Sequence, residues 1–425
     1  MGTIIFIILY LILVLMLLKD IEKGIISYVI FSLFAPNLNI NNTQISFEIS
    51  AFFIVIIILL IKRREIFTLY KKGKVFRQRL WMYFFLLIFS TLVGTIRYES
   101  SIGIVSIFGI FRTIIVIYLL QFIMKQNEDK VLDKIIWPIL FINFITSVIQ
   151  LTFPESTTFF YNLYYKESLT PLNEVLRLGY FSRAYGTFGS PVLLGVFSVF
   201  SFAVYFGYLI EKKKCKIIYI KLILSIAIGL MALSKTAILG LPALLIIFYF
   251  LALYGIIKVK NRKTLLIPIL VFPMAIGIIK ILERQGLFIY YYLEYLLKPF
   301  EVFETRYDST EGILANTYMI IKENWFIGVG KISISDIFIG DSMYIDLIYT
   351  SGIIGLAVYF SILLSATLWN IRFRNTTAVF CVAALCLAGT GAPVQFEILS
   401  AILIAYVFSK AEKSISLNVK KHAED

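Results

Sequence analysis

The chain has 425 residues, of which 60% are hydrophobic and 16% are charged, and its mean hydropathy is +0.88. This composition excludes an ordinary soluble globular domain. The formal net charge of +14 comes from basic stretches between apolar runs, so it does not indicate nucleic-acid binding. We therefore expect an integral membrane protein that binds no nucleic acid.

Apolar runs that can cross a bilayer recur along the whole sequence. They predict an all-α polytopic membrane protein with about 12 or 13 transmembrane helices in a single transmembrane domain, residues 1–425. The predicted spans are 3–18, 51–61 with its flanks, 80–95, 102–124, 135–153, 192–210, 222–233, 236–257, 265–279, 343–369, 378–387 and 396–408. Residues 25–36 are a weaker candidate.

Clusters of lysine and arginine predict which loops face the cytoplasm. When the spans are joined in order, one side receives the basic segments 62–79, 211–216, 258–263, 371–374 and the C-terminal tail. The external loops 154–190 and 283–340 then lie on the outer side. Because connections this long are usually functional, we expect these two loops to form the catalytic face.

Arg112 lies in the middle of the apolar segment IVSIFGIFRTIIVIYLL. A charge at the centre of a span costs at least about 2.5 kcal/mol on insertion scales. Such a residue faces a cavity or a partner, where it can contact an anion, or it snorkels toward a helix end. Both interpretations stay open on the sequence.

Three further cations are predicted at the outer surface. Lys235 lies in a tight hairpin turn at Ser234 and Lys235 in ALSKTAILG, Arg183 precedes a span, and Arg306 precedes a helix in the second external loop. Arginine binds a diphosphate in bidentate fashion and lysine binds it as a point charge. The interleaved tyrosines either contact sugar rings or form an interfacial aromatic belt; they are Tyr161, Tyr164, Tyr165, Tyr290, Tyr291 and Tyr292.

The helix in the second external loop is expected to lie along the membrane surface. Ser309 is a candidate N-cap, and the apolar residues over 313–321 share one face. Gly328 and Gly330 then permit a tight return to the span that begins at Met343.

No metal and no cofactor are expected. His422 is the only histidine and the external loops contain no cysteine, so zinc has no ligand set. Asp341, Asp346 and Asp308 are weak candidates for a divalent cation, because no spacing motif relates them. No phosphate-binding Gly-rich loop is present, so the energy for any reaction must come from an activated substrate.

Four segments stand in order along the chain: RAYGTFGSPVLLG, ALSKTAILG, TRYDSTEGILANTYMIIKENWFIGVG and DSMYIDLIYTSGIIGL. This ordered set, over roughly residues 180–360, resembles the O-antigen polymerase and ligase superfamily, and most of all its Wzy-type polysaccharide polymerases. The resemblance implies a GT-C-type glycosyltransferase bundle in the bacterial cytoplasmic membrane, with an active site that faces outward. It also implies undecaprenyl-diphosphate-linked oligosaccharide, membrane lipid, a chain-length regulator and a flippase as partners.

The implied reaction polymerises lipid-linked repeat units into a surface polysaccharide such as capsule or O-antigen. The growing glycan leaves its lipid diphosphate and joins the non-reducing end of an incoming unit, so that the lipid diphosphate is the leaving group. Electrostatic stabilisation of that group is the role assigned to the cations. The residues expected to contact the diphosphate or the glycan are Arg183, Arg306, Lys235, Arg112, Arg177, Tyr185, Ser342 and Tyr344.

The general base is predicted to be a carboxylate. The ligase branch has a histidine in its large external loop, whereas residues 283–340 contain none. Asp341 is the first choice for activating the acceptor hydroxyl, with Asp308 and Glu311 behind it. The alternatives are a late, solvent-assisted deprotonation and, for Asp341, a role as N-cap of the following helix.

Two other functions stay open on the sequence. A ligase of the same superfamily would transfer the glycan to another acceptor. A polysaccharide flippase or exporter typically shows repeated halves, short loops and polar residues at mid-span. This sequence has no internal repeat, a long external loop, and only Arg112 clearly at mid-span.

Overall fold

A computed structural model describes residues 2–36, 38–40, 43–62, 75–125, 127–164, 177–178, 181–211, 216–257, 314–333 and 342–424. The helices in these ranges are α1 (Gly2–Lys19), α2 (Ile21–Phe34), α3 (Phe47–Ile61), α4 (Val75–Tyr98), α5 (Ile104–Ile123), α6 (Glu128–Thr152), α7 (Pro154–Tyr164), α8 (Pro191–Glu211), α9 (Lys216–Ala232), α10 (Lys235–Leu253), α11 (Ala315–Glu323), α12 (Met343–Arg372), α13 (Thr376–Ala388) and α14 (Ile398–Glu424). Short strands form antiparallel pairs: β1 (Leu38–Ile40) with β2 (Thr43–Ile45), β3 (Ser101–Ile102) with β6 (Ile332–Ser333), and β4 (Arg177–Leu178) with β5 (Phe181–Ser182).

Seven of the described helices are long and apolar enough to cross a membrane, namely α1, α4, α5, α6, α8, α10 and α12. α3 and α13 are shorter apolar helices. The predicted all-α polytopic membrane fold is confirmed. Helices are the expected form, because in lipid every backbone N–H and C=O must find its partner within the protein. The predicted span over residues 265–279 lies outside the described residues.

α8 is the central helix of the bundle. Its sequence is apolar on all sides, and 94% of its spanning window is buried, compared with 17% for α1. A helix that is hydrophobic all round is expected to be enclosed by other helices. α8 packs against α9, α10 and α13, so these elements surround it.

The hairpin predicted before Lys235 is confirmed. α9 ends at Ala232, Leu233 adopts a left-handed conformation with φ of 44°, and Ser234 occupies the N-cap position of α10. Lys235 is the first residue of α10 and therefore lies at the turn.

α12 is broken at Gly352, where φ is 62° and ψ is −169°. The break leaves backbone carbonyls without their helical partners, and residues 325–331, the inserted segment, pack against it. Two N–H groups of the inserted segment donate to α12 carbonyls, Val329 to Tyr349 and Gly330 to Thr350, each at 2.9 Å. In return, the N–H of Ile353 donates to the carbonyl of Trp325 at 2.9 Å. The broken helix and the inserted segment therefore satisfy each other's backbone groups.

The opposite side of the inserted segment lies against α4. The Ser90 hydroxyl donates to the carbonyl of Ile327 at 2.8 Å, and the N–H of Lys331 donates to the Thr91 hydroxyl at 3.1 Å. Ser90 is eight residues from the end of α4, or about 12 Å along the helix axis. Non-helical backbone is tolerated at such a depth only where protein or a water-filled cavity surrounds it.

The turn predicted after the surface helix is confirmed, since Gly328 and Gly330 have φ values of 78° and 77°. The preceding helix, predicted over residues 309–321, is present as α11 in its C-terminal part. Its expected N-cap, Ser309, lies outside the described residues.

A second irregular segment, the 183–190 loop, is held by buried amide side chains of α6. The Gln150 side-chain oxygen accepts from the N–H groups of Tyr185 and Gly186, at 3.0 and 3.1 Å. The Asn143 side-chain oxygen accepts from the N–H of Thr187 at 2.8 Å. Two irregular segments thus enter the bundle from the end where the external loops are predicted.

Candidate functional site

A cavity of about 300 Å³ opens at the end of the bundle where both irregular segments enter, and we call it the outer cavity after the orientation predicted by the basic loops. Four elements line it: α5, the inserted segment, α12 and the turn between α13 and α14. Its lining residues are Ser106, Gly109, Ile110, Arg112, Lys331, Asp346, Pro393, Gln395, Phe396 and Glu397.

Arg112 reaches this cavity from α5 and forms an ion pair with Glu48 through Nη2 and Oε1. The two side chains are only 8% and 10% exposed. Arg112 lies eight residues into α5, about 12 Å along the helix, so it does not snorkel to a helix end. Its Nε is buried and has no hydrogen-bond partner among the described residues. A donor of Arg112 therefore remains for a molecule in the cavity.

Lys331 reaches the same cavity from the inserted segment. Its Nζ donates to both carboxylate oxygens of Asp346, at 2.7 and 3.1 Å. The Gln395 side-chain amide also donates to Asp346 Oδ2. An ammonium has three N–H donors, so this geometry leaves Lys331 with one donor beyond the carboxylate. Gln395 Oε1 is buried without a partner in the described part of the chain.

The site therefore contains two ion pairs around one cavity, of which Arg112–Glu48 is buried and Lys331–Asp346 is partly buried. In each pair a carboxylate from a neighbouring helix binds the cation. The cation still has an N–H group that is not bonded to that carboxylate. Burying an ion pair costs several kcal/mol of desolvation per ion, which the attraction between the charges only partly offsets. Ionisable residues inside a membrane bundle accordingly mark functional sites more often than structural ones.

A smaller cavity, of about 50 Å³, adjoins the outer cavity. Glu397 lines both cavities, and Glu48 lines the smaller one while its partner Arg112 lines the larger. Tyr164 of α7 and Thr187 of the 183–190 loop complete the smaller cavity. The external loop 154–190 thus contributes directly to the neighbourhood of the Arg112–Glu48 pair.

A third cavity, of about 310 Å³, lies at the opposite end of the bundle, which we call the inner end because the basic loops predict that it faces the cytoplasm. Its buried cation, Lys221, pairs with Asp133 at 2.5 Å and lies over the rings of Trp137 and Tyr205. This cation therefore has partners on several sides, whereas Arg112 keeps an unused donor in the outer cavity.

Two of the predicted cations lie close together at the α9–α10 hairpin. Arg183 donates from Nε to the carbonyl of Ala232 at 3.2 Å, and Lys235 begins α10 at the same turn. The next residue, Thr236, contacts Gly391 in the turn between α13 and α14. That turn also lines the outer cavity, so it lies between Arg183 and Lys235 on one side and Arg112 and Lys331 on the other.

The structure does not bring the other described candidates to the cavity wall. The Tyr185 hydroxyl donates to the carbonyl of Thr157 at 2.7 Å, and its ring is buried. The Tyr344 hydroxyl donates to the carbonyl of Cys386 at 2.8 Å, which turns this side chain toward α13. Ser342 is buried at the N-cap position of α12.

The predicted base and its alternatives, Asp341, Asp308 and Glu311, lie outside the described residues, as does Arg306. Arg177 is described only through its backbone in β4. The alternative prediction, that Asp341 is the N-cap of α12, is wrong by one residue, because Ser342 occupies that position.

The sequence analysis missed Glu48, Lys331 and Gln395, which form the contacts of the site, and also Glu397, which lines both cavities. Glu48 carried a signal, because it is the one charge in the apolar run FEISAFFIVIIILLI. Lys331 and Gln395 carried none, since both lie in loops where polar residues are ordinary. Only the packing of the inserted segment and the α13–α14 turn brings them to Asp346.

The described residues contain no cluster of three or more side chains suited to hold a metal ion. The outer cavity is lined by the polar side chains of Ser106, Arg112, Lys331, Asp346, Gln395 and Glu397. No protein-family model matches the chain, and no curated protein matches it.

Proposed function

We propose that the protein is a membrane glycosyltransferase that polymerises undecaprenyl-diphosphate-linked repeat units into a surface polysaccharide on the outer side of a bacterial cytoplasmic membrane. The observation that supports this most is the outer cavity, where Arg112, Lys331 and Asp346 meet among membrane-spanning helices. The order of the four sequence segments over residues 180–360 supports it independently.

The chemistry of the proposed transfer matches the groups in and around this cavity. The acceptor hydroxyl oxygen forms a bond to the anomeric carbon of the donor glycan. The bond between that carbon and the phosphate oxygen breaks, and its electron pair leaves with the lipid diphosphate. Buried cations stabilise the charge that develops there, with no need for a metal or nucleotide. Asp341 stays our candidate to accept the hydroxyl proton, with Asp308 and Glu311 as alternatives.

Filling the outer cavity tests this proposal. A Cβ at Gly109 would meet no atom within 4 Å, and Gly109 has an ordinary helical backbone, so larger residues there extend into open space. We expect Gly109→Ala to be active and Gly109→Phe to lower polymerisation by about tenfold or more, equivalent to roughly 1.4 kcal/mol of barrier. The measurement is the polymer ladder formed by purified protein from lipid-linked repeat units in membranes.

The matched control is Val105→Phe on the same helix, where the side chain is 74% exposed and does not line the cavity. It adds the same ring at an exposed position outside the cavity lining and should leave the ladder unchanged. Normal ladders from Gly109→Phe would remove the outer cavity as the place of reaction. A wild-type protein that moves lipid-linked units across the membrane without joining them would instead indicate a flippase.

A further inference from the structure

Lys331 occupies a position that depends on an unusual backbone arrangement. The carbonyl of Lys331 accepts from the N–H of Gly103 at 2.7 Å, and its N–H donates to Thr91. The two preceding residues are bonded to the broken part of α12. Contacts with α4, α12 and the link before α5 therefore fix the backbone from which this side chain extends.

Asp346 then fixes the side chain itself. The carboxylate accepts two hydrogen bonds from Lys331 and one from Gln395, so both of its oxygens are occupied. Its side chain is 7% exposed, against 18% for Lys331. The lysine is thus the more accessible member of the pair, and Asp346 holds it against the cavity wall.

Arg112 is the second cation that lines the outer cavity, together with Lys331. Glu48 binds one end of its guanidinium, and Nε is left buried with no described partner. The Oε1 atom of Gln395 is a buried acceptor in the same situation. Both residues line the outer cavity. Buried polar atoms nearly always have partners in native proteins, so two orphaned atoms in residues beside one cavity point to a missing ligand. That ligand must offer acceptors to two cations and a donor to an amide oxygen.

We propose that Lys331 and Arg112 bind a phosphate group between them in the outer cavity, with Asp346 and Gln395 as positioning residues for Lys331. This inference rests on the proposed function, under which the phosphate belongs to the diphosphate of the lipid-linked substrate. A sugar hydroxyl next to that phosphate supplies the donor that Gln395 Oε1 lacks. Because each cation is already balanced by a carboxylate, affinity comes from directed charge-assisted hydrogen bonds.

The test measures binding of farnesyl diphosphate, a short polyprenyl diphosphate, to full-length protein in phosphatidylcholine nanodiscs by calorimetry. Removing Lys331 alone would leave Asp346 buried without its partner, so the informative variant is the neutral pair Lys331→Gln with Asp346→Asn. We expect this pair to bind the diphosphate roughly tenfold to a hundredfold more weakly, the loss expected for one charge-assisted hydrogen bond. Its thermal unfolding midpoint should stay close to that of the wild type.

Two single variants separate binding from structure. Lys331→Arg keeps the cation and should retain most of the affinity. Lys322→Gln neutralises an exposed lysine on the nearby α11 and should change nothing. Unchanged binding in the neutral pair would show that Lys331 and Asp346 are only structural and would overturn the proposal. A loss of equal size in Lys322→Gln would overturn it too, because the effect would then be one of general surface charge.

Competing ligands identify the source of the phosphate. Inorganic pyrophosphate should displace the probe and farnesol should not, because the site recognises the phosphate group. The protein should bind the probe with the same affinity in nanodiscs with and without phosphatidylglycerol. Displacement by phosphatidylglycerol would make this a phospholipid site and overturn the substrate assignment. Loss of binding in the neutral pair, combined with a wild type that makes no polymer, would keep the phosphate site and reject the polymerase.

Discussion

Arg112 and Glu48 illustrate how single residues carry charge into the apolar bundle. Both side chains are largely buried, and each is the single charged residue of its helix. Their ion pair lies beside the outer cavity, where water or a polar ligand can lower the cost of burial. In this pair, buried charge coincides with both a partner and a cavity.

At the residue scale we predict that Glu48→Ala destabilises the protein by about 3–5 kcal/mol, because it leaves the Arg112 guanidinium buried without a counter-charge. Replacing both residues by leucine should recover most of this loss. Denaturant unfolding in detergent measures both effects. The control is Lys23→Ala, which removes an exposed pair with Asp20 and should cost less than about 1 kcal/mol. Equal effects of Glu48→Ala and Lys23→Ala would contradict the prediction.

At the element scale, the inserted segment fits between α4 and α12 because each helix has a glycine where the segment touches it. A Cβ at Gly352 would collide with the carbonyl of Phe326, and a Cβ at Gly94 would collide with that of Val329. Because glycine has no side chain, the backbone of the inserted segment can pass between the two helices at these positions. The same contacts deliver Lys331 to the cavity, so helix packing and site geometry are coupled here.

We therefore predict that Gly94→Ala destabilises the protein, contrary to the usual stabilisation of about 1 kcal/mol when alanine replaces a mid-helix glycine. The matched control is Gly109→Ala, another mid-helix glycine, whose new methyl group meets open space and which should be neutral or stabilising. Thermal unfolding of the two variants gives the comparison. If both alanines stabilised the protein equally, the inserted segment would not pass as close to α4 as described.

At the scale of the whole molecule, the two ends of the bundle differ. The inner end carries a network of paired charges: Lys410 contacts Asp129 at 3.0 Å and Lys413 contacts Glu128 at 3.1 Å. The outer end is entered by irregular backbone and contains the outer cavity. This polarity agrees with the distribution of basic loops, which predicts a cytoplasmic inner end.

A labelling experiment checks this orientation. In a variant without Cys215, Cys381 and Cys386, we expect Glu155→Cys at the start of α7 to react with an impermeant thiol reagent on intact cells. Ser416→Cys near the end of α14 should react only after the membrane is permeabilised. Both positions are exposed, so accessibility within the fold does not limit the reaction. The reverse pattern would invert the topology and place the outer cavity on the cytoplasmic side.

Hydrophobic patterning alone predicted the membrane class, the helical fold and most helix boundaries, because a bilayer demands long apolar helices whatever their neighbours are. It also identified Arg112 as a charge within a span, but left open whether the side chain faces a cavity or snorkels to a helix end. Glycine chemistry predicted the turn at Gly328 and Gly330. These features depend on local sequence and on the solvent around each segment.

The composition of the outer cavity depended on tertiary structure. Arg112 and Glu48 are 64 positions apart in the sequence, and Gln395 and Asp346 are 49 apart, so no local pattern relates them. Lys331 follows two glycines in a loop, and only the break in α12 explains why that loop enters the bundle. Long-range packing decides which polar residues share a cavity, because the helices, the loop and the turn that supply them come from separate parts of the sequence.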